Sequence, residues 1–567
     1  MTAPHFFLIS SYDVLPKHYL HGICWQDEDL IIGDGGYEKY RFARKAQIDA
    51  GQDGSYIVVN ASEQEAVIGT DFSGYCKLFL YRHGQRWALS NSLIDLARFA
   101  ASKHWTVTID ENHLASFFIQ GSFGNQLTSL HTSVKEIRLV PSTMEALIVR
   151  TPSGSRINLR ETAAASVSLH KNCTYGNALR DYLRLWVRRM ASLLQSDLAM
   201  TSDLTGGRDS RTVLSLMVAA SQLIGKDSLQ RVDFTSNPQA EPDFEIASRI
   251  AAEFGLRFMD RRQEKHPPVW LSLDEAYGKW KSLCLGVYSP IYFPHTRPTS
   301  TTIYFGGAGG ESHRRFYTNE SLDKLLAARK KFIPSLMHFE KLRQDVFDDI
   351  AFLSQGFEAS LDPLILHYRH FRDRCHGGRT PQYTNFLAPL AGADLRRASS
   401  LCSPEQLDRS QVLADIMINA NRALASMPYD SPKKSFDERH FAELVDAAEA
   451  IRSARTGGKI FAAEPAQDNP GDFTTSKALH LLREDFLSHY EEMRKTGYFP
   501  KEYLDKARSV VEFAVSNGRL SHAVDGCPVS HVILAGELSR LSGGMKRRLS
   551  PLQAIKAALT ERMGRGA

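Results

Sequence analysis

The stretch Leu204-Thr205-Gly206-Gly207-Arg208-Asp209-Ser210-Arg211 limits this chain more than any other feature. The apolar run Leu198-Ala199-Met200 precedes it, and the amphipathic run Thr212-Val213-Leu214-Ser215-Leu216-Met217 follows it. That order predicts a strand, a glycine turn and a helix. Glycine has no Cβ, so the backbone at Gly206 and Gly207 can lie against a ligand. The first N–H groups of a helix have no internal partner and carry partial positive charge, which suits phosphate. Ser210 adds a hydroxyl donor. A carboxylate such as Asp209 beside phosphate implies a cation between them, and Mg²⁺ takes both kinds of oxygen. A bare glycine turn capped by Asp209 or Ser210 is the ligand-free alternative. The stretch lacks a Gly-Lys-Ser/Thr ending, so it is not a Walker A loop.

The surrounding pattern predicts an α/β region. Leu179, Leu183, Val187, Met190 and Leu194 form a helical stripe upstream, from Asn177 onward. Downstream, Val232-Asp233-Phe234 is a second apolar run, followed by polar Thr235-Ser236-Asn237-Pro238 and a helical segment from Phe244 to Phe254. Thr302-Ile303-Tyr304-Phe305 reads as another strand, ending in Gly306-Gly307-Ala308-Gly309-Gly310-Glu311. Strands alternating with helices argue for a parallel sheet. Residues 1–165 read instead as mostly β, with short runs such as Tyr56-Ile57-Val58-Val59 and Ala146-Leu147-Ile148-Val149 broken by turn residues. The soft stretch from Thr151 to Ser166 marks a boundary, giving two domains, 1–165 and 166–567. Beyond about residue 320 the chain reads as mainly helical, with loops near 376–393, 427–436 and 456–475.

A net charge of +5 over 567 residues does not demand a nucleic-acid partner. The seven cysteines are scattered and form no C-x-x-C pair, which predicts reduced thiols in a cytoplasm. No secretory signal is recognisable, and no apolar run approaches the roughly 20 residues that span a bilayer.

Hydroxyl-Gly-Gly-x-Asp-Ser after a strand resembles the pyrophosphate loop of ATP pyrophosphatases, in the form found in the asparagine synthetase family. Gly306 to Glu311 resembles that family's later Gly-Glu-Gly-Gly-Asp-Glu strand end. Pro242 to Ala247 resembles the helix after its adenine-binding strand. Met427-Pro428-Tyr429-Asp430-Ser431-Pro432-Lys433-Lys434-Ser435-Phe436 resembles its Leu-Pro…Lys-x-Gly-Phe segment. Gly69 to Gly74, with Leu78 to Tyr81 and Trp87 to Ser92, resembles its glutaminase domain. The resemblance implies an N-terminal Ntn-like β-sandwich, then a doubly wound parallel-sheet ATP-pyrophosphatase domain with a helical C-terminal part. It implies that ATP sits on Leu204, Thr205, Gly206, Gly207, Asp209, Ser210, Phe234, Thr235, Gly307, Gly309 and Gly310. It implies Mg²⁺ on Asp209 and Glu311, and Lys434, with Lys433 as second choice, against pyrophosphate and acyl-adenylate.

Departures shape the expected activity. Thr2 stands where the family's glutaminases carry a cysteine nucleophile, and the first cysteine is Cys24, so the N-terminal domain reads as a relic. Glu311 replaces the metal-binding Asp, Ala308 an upstream Glu, and Asn385 a Glu of the acceptor pocket. Tyr383 lies near a region where cyclising relatives use a Tyr–Glu pair. The cation-dense stretch His367 to Arg379 has three readings: a metal site on His367 and His370, a solvated or salt-bridged helix end, or an arginine reaching a substrate carboxylate. Lys546-Arg547-Arg548 reads as solvated surface. The expected activity is AMP-forming amide synthesis. A small-molecule or peptide carboxylate is adenylated and joined to an amine other than glutamine-derived ammonia, as in specialised metabolite biosynthesis. The alternatives are a glutamine- or ammonia-dependent amidotransferase and a non-catalytic nucleotide or partner binder. No nucleic-acid or membrane partner is expected, and a homodimer is left open.

Overall fold

The computed structural model describes residues 7–152, 154–166, 173–260, 270–333, 335–464 and 471–542. Thr2 and Lys546-Arg547-Arg548 lie outside the described residues. The N-terminal region supplies β1 (Leu8–Ser10), β2 (Tyr19–Gln26), β3 (Asp29–Ile32), β4 (Gly54–Ala61), β5 (Glu65–Thr70), β6 (Phe79–His83), β7 (Arg86–Ser90), β8 (Ile137–Leu139), β9 (Met144–Thr151) and β10 (Gly154–Glu161). There follow β11 (Ala199–Asp203), β12 (Val232–Ser236), β13 (Phe258–Asp260), β14 (Thr302–Phe305), β15 (Phe386–Leu387) and β16 (Ile460–Ala462).

Two sheets are built from the N-terminal strands, in the orders β1-β7-β6-β8 and β10-β9-β5-β4-β2-β3-β16. They bury a shared core. Ile57 and Val59 of β4 pack in one cluster with Leu80, Trp87 and Leu89 from the other sheet. The alternate residues Tyr56 and Val58 pack on Tyr37 and Tyr40 of the helix Gly33–Arg44. Both faces of β4 are covered, so its sequence is apolar at nearly every position rather than alternating with polar residues.

The third sheet is entirely parallel, in the order β13-β12-β11-β14-β15. The chain enters it at the centre, moves outward through β12 and β13, then returns to the other side of β11 for β14 and β15. Strand order therefore reverses between β11 and β14. In open α/β sheets the crevice at such a reversal, beyond the carboxyl ends of the strands, is where ligands bind. The upstream stripe is the helix Tyr175–Leu194, and the glycine turn opens the helix Arg208–Ile224.

One element departs from the expected domain division. β16 lies inside the segment read as a 456–475 loop, yet it pairs in parallel with β3, Ile460 opposite Leu30 and Phe461 opposite Ile31. The second region thus contributes a strand to the first region's sheet, so residue 165 is not a clean boundary. Three residues are too short to show a period, and their partner is distant in sequence.

A buried ion pair also fastens the two regions. Arg189, on the helix Tyr175–Leu194, is 3 % exposed and pairs with Asp53 at 2.5 Å. Its Nε and Nη2 donate to the Asp27 carbonyl at 2.8 and 2.6 Å. Its guanidinium carbon lies 5.0 Å from the rings of both Trp25 and Trp186. Among the described residues, no helix is long and apolar enough to cross a membrane.

Candidate active site

The two glycine loops leave neighbouring strands at the point of reversal. After β11, Thr205 to Gly207 lead into the helix Arg208–Ile224, whose N-cap Gly207 provides no side-chain cap. Three successive loop amides point at side-chain oxygens. Thr205 N–H donates to Ser210 Oγ (3.0 Å), Gly206 N–H to Asp243 Oδ1 (3.1 Å) and Gly207 N–H to Thr205 Oγ1 (3.2 Å). These oxygens occupy the positions that the oxygens of an anion would take at a helix start. Nearby, the hydroxyls of Thr235 and Ser236, at the carboxyl end of β12, are buried with no partner among the described residues. Such groups are costly to leave unpaired, which fits a polar ligand here.

Two arginines of the helix bring the 427–436 segment to this loop. Arg208 Nε donates to the Lys434 carbonyl (2.6 Å) and its Nη2 to the Lys433 carbonyl (3.3 Å). Arg211 donates to the Met427 and Pro428 carbonyls at 2.9 and 2.7 Å, and its guanidinium lies 3.8 Å from the Tyr429 ring centre. The structure separates the two lysines. Lys434 Nζ lies 4.0 Å from where a Gly207 Cβ would be and pairs with Asp430 at 2.6 Å. Lys433 meets the helix start through its backbone carbonyl, which accepts from Arg208. Asp430 N–H donates to the Gly206 carbonyl at 3.2 Å, so the segment is tied to the turn itself.

Asp209 and Glu311 do meet, with Arg314 between them. Arg314 Nη1 and Nη2 lie 3.2 Å from Asp209 Oδ1 and Oδ2, and Nη2 is also 3.2 Å from Glu311 Oε1. Tyr368 donates to Glu311 Oε2 at 3.0 Å. Burial pushes the Asp209 carboxyl above its ordinary value and Glu311 adds to this, while Arg314 opposes it. Arg314 is itself raised, because the two carboxylates outweigh its burial. Two convergent carboxylates are the hard oxygen donors that Mg²⁺ requires. The donor set fits that ion, and the arginine supplies its charge in the structure as it stands.

The second glycine loop packs directly against the first. A Cβ at Gly310 would fall 2.5 Å from Asp209 Cγ, and one at Gly307 2.8 Å from the Ser210 nitrogen. At Gly309, φ is +86°, and a Cβ would fall 2.6 Å from Ala391 Cα. The N–H of Gly309 donates to Asp373 (3.2 Å) and that of Gly310 to the Gly307 carbonyl (3.2 Å). These glycines let the second loop press directly onto the first, with the Gly309 and Gly310 amides donating to Asp373 and to the Gly307 carbonyl. Leu204 and Phe234 are fully buried core side chains, so they border the crevice through backbone alone.

Other expectations are also revised. Asn385 sits at the amino end of β15, where its amide donates to the Thr299 and Thr302 carbonyls (2.5 and 3.1 Å). It lies at the end of the strand opposite the glycine loops, along with Tyr383, whose carbonyl accepts from Thr296 (2.9 Å). Of the readings of His367 to Arg379, the salt-bridged helix end fits and the solvated one does not: His367 and His370 are 0 % and 1 % exposed. His370 bonds Glu358 at 2.9 Å, and the same carboxylate accepts from Arg369 at 2.7 Å. His367 shares none of these partners; its Nε2 faces the Thr128 carbonyl at 3.1 Å. Arg314, Asp243 and Asp430 escaped sequence reasoning. For Arg314 the available signal was its spacing of three residues from Glu311.

The packing gives a direct test. Gly310→Ala is expected to push Asp209 off Arg314 and to lower turnover about 10²-fold, the penalty of a misplacement near 1 Å. Gly278 is the control: it lies within the helix Leu273–Cys284 with nothing within 4 Å of its Cβ position. Gly278→Ala should raise stability by about 0.5–1 kcal/mol and leave turnover unchanged. Steady-state kinetics and thermal melts of both variants check this.

No protein-family model matches the chain, and the search of curated proteins gives no match.

Proposed function

We propose that this protein is an ATP-dependent amide synthetase that forms AMP and pyrophosphate. A substrate carboxylate attacks the α-phosphate of ATP, pyrophosphate leaves, and an amine then displaces AMP from the acyl-adenylate. The observation that carries this reading is the pair of glycine loops at the reversal point between β11 and β14, where loop amides converge on oxygens.

In this reading the amides of residues 205–207 exchange their side-chain acceptors for pyrophosphate oxygens. The Ser210 hydroxyl donates to the same leaving group. Lys434, released from Asp430, meets its growing negative charge, and Arg208 and Arg211 hold the lysine's segment in place. The work is positioning and electrostatic stabilisation. Asp209 and Glu311 would hold Mg²⁺, which supplies positive charge against the phosphate oxygens when bound. The buried, unpartnered hydroxyls of Thr235 and Ser236 at the end of β12 would border the nucleotide. Ammonia from glutamine is not the nucleophile in this reading: Cys24 is fully buried, with its thiol raised well above its ordinary value by burial.

The test is product analysis. Protein, Mg·ATP and a panel of carboxylates with amines are incubated, and nucleotides and phosphates are quantified. AMP and pyrophosphate in equal amounts are expected, dependent on the carboxylate. ADP and orthophosphate would refute the reading. One observation favours a second reading: Arg314 already sets a positive charge against both carboxylates, as a nucleotide-binding protein without catalysis would need. Saturable ATP binding with no AMP across the panel would favour it.

A further inference from the structure

A cavity of about 220 Å³ lies where the N-terminal sheets meet the helical region. It exceeds the roughly 150 Å³ that accommodates a benzene ring. It is separate from the crevice of the glycine loops. Arg297 and Gln382, which line it, belong to the segments leading into β14 and β15, whereas the glycine loops follow β11 and β14. Tyr19 and His21 of β2 form its opposite wall.

Three cations, Lys77, Lys279 and Arg297, line the cavity against one carboxylate, Glu275. Arg297 lies 3.4 Å from Glu275. Neither of the other two forms an ion pair among the described residues, although Glu275 also faces Lys279. Lys77 is 8 % exposed and donates to the Tyr75 carbonyl at 3.1 Å, with no ion pair among the described residues. Lys279 makes neither a hydrogen bond nor an ion pair among them. Cations held largely out of water without an ion-pair partner are unfavourable, and an anion in the cavity supplies one. Leu271, Leu283 and Pro381 supply apolar wall, Tyr19 and Tyr75 add rings, and Asn91 and Gln382 add neutral polar groups. A pocket with an apolar body and a few convergent charges is built to orient a small organic molecule.

We propose that this cavity is a second ligand site, which binds a small organic anion through Lys77 and Lys279, with a carboxylate at the charged end and an aromatic or aliphatic body against the leucines. The groups facing Lys279 are Arg297, Glu275 and His21. Burial, and then Arg297, push Lys279 down to about 8, while burial, and then Lys279, push His21 down to about 4. A bound anion favours the charged forms, so binding takes up protons.

Isothermal titration of the full chain with sodium benzoate, and separately with inorganic phosphate, tests the site. Benzoate should bind saturably. Lys279→Gln should weaken it about 10- to 100-fold, the effect of one hydrogen bond to a charged group. Lys279→Arg should retain binding, and Asp209→Asn in the other site should not change it. Near pH 8, where Lys279 is partly neutral, the binding heat should depend on the buffer's ionisation enthalpy, and this dependence should vanish in Lys279→Gln. A circular dichroism melt checks that the variant folds. Binding of phosphate without benzoate, no binding of either, or benzoate affinity unchanged by Lys279→Gln would overturn the assignment.

Discussion

Replacing Asp209 by Asn is expected to abolish AMP and pyrophosphate formation without destabilising the protein. The two side chains are nearly the same size, so the loops stay packed and Gly310 keeps its contact with the side chain. What disappears is the negative charge opposite Glu311, and with it one of two carboxylates available to a divalent cation. The loss in turnover should exceed the ~10²–10³-fold that one donor to a developing anion is worth. Stability moves the other way. Burial raises the Asp209 carboxyl in the folded state, even with Arg314 beside it. A carboxyl raised on folding stabilises most when protonated, and that contribution fades as pH rises through its folded value. Neutral Asn removes the unfavourable charged form, so the melting temperature near pH 7 should stay level or rise. Product assays and melts on the same preparation check both halves. Turnover near that of the parent protein would remove Asp209 from the proposed chemistry.

Arg189→Met should be the most destabilising single change between the two regions. Methionine keeps the apolar stem between Trp25 and Trp186 but leaves Asp53 buried without its cation. It also leaves the Asp27 carbonyl without the donors that now reach it. Breaking one side of a buried ion pair costs about 3–5 kcal/mol. Asp53 also accepts from the Ala393 N–H at 3.2 Å, so the disturbance reaches the segment that packs on Gly309. Denaturation midpoints should fall accordingly. The double variant Arg189→Met/Asp53→Leu should recover part of the loss, because the orphaned charge is gone. Equal stability of Arg189→Met and the parent protein would show that the pair does not hold the regions together.

The elements that were legible in the sequence are those written in local signals. Leu198 to Met217 carries a strand, a turn and a helix within one short window, because glycine, a capping position and a 3.6-residue period are adjacent there. The strand Thr302–Phe305 and the helix Glu241–Glu253 were visible for the same reason. β16 was not, since three residues carry no period and its partner β3 lies at the other end of the chain. For the 367–379 stretch the sequence left a solvated and a salt-bridged helix end open, because charge-dense sequence usually faces water. Here Glu358 pairs with His370 and with Arg369, which makes their burial tolerable.

The sequence by itself determined that two glycine turns follow two strands, and that Asp209, Ser210 and Glu311 stand at their ends. Glycine placement and strand period are properties of neighbouring residues, so no folding was needed to read them. Only the tertiary structure decided what those residues face. It set the order β12-β11-β14 that brings the turns together, pressed Gly307 and Gly310 onto Asp209 and Ser210, and put the Lys434 ammonium beside Gly207 and Asp430. It placed Arg314 between the carboxylates and sent Asn385 to the far end of β15. Ion pairs and close packing depend on distances between residues far apart in the chain, and an arginine's letter does not say which carboxylate it will meet.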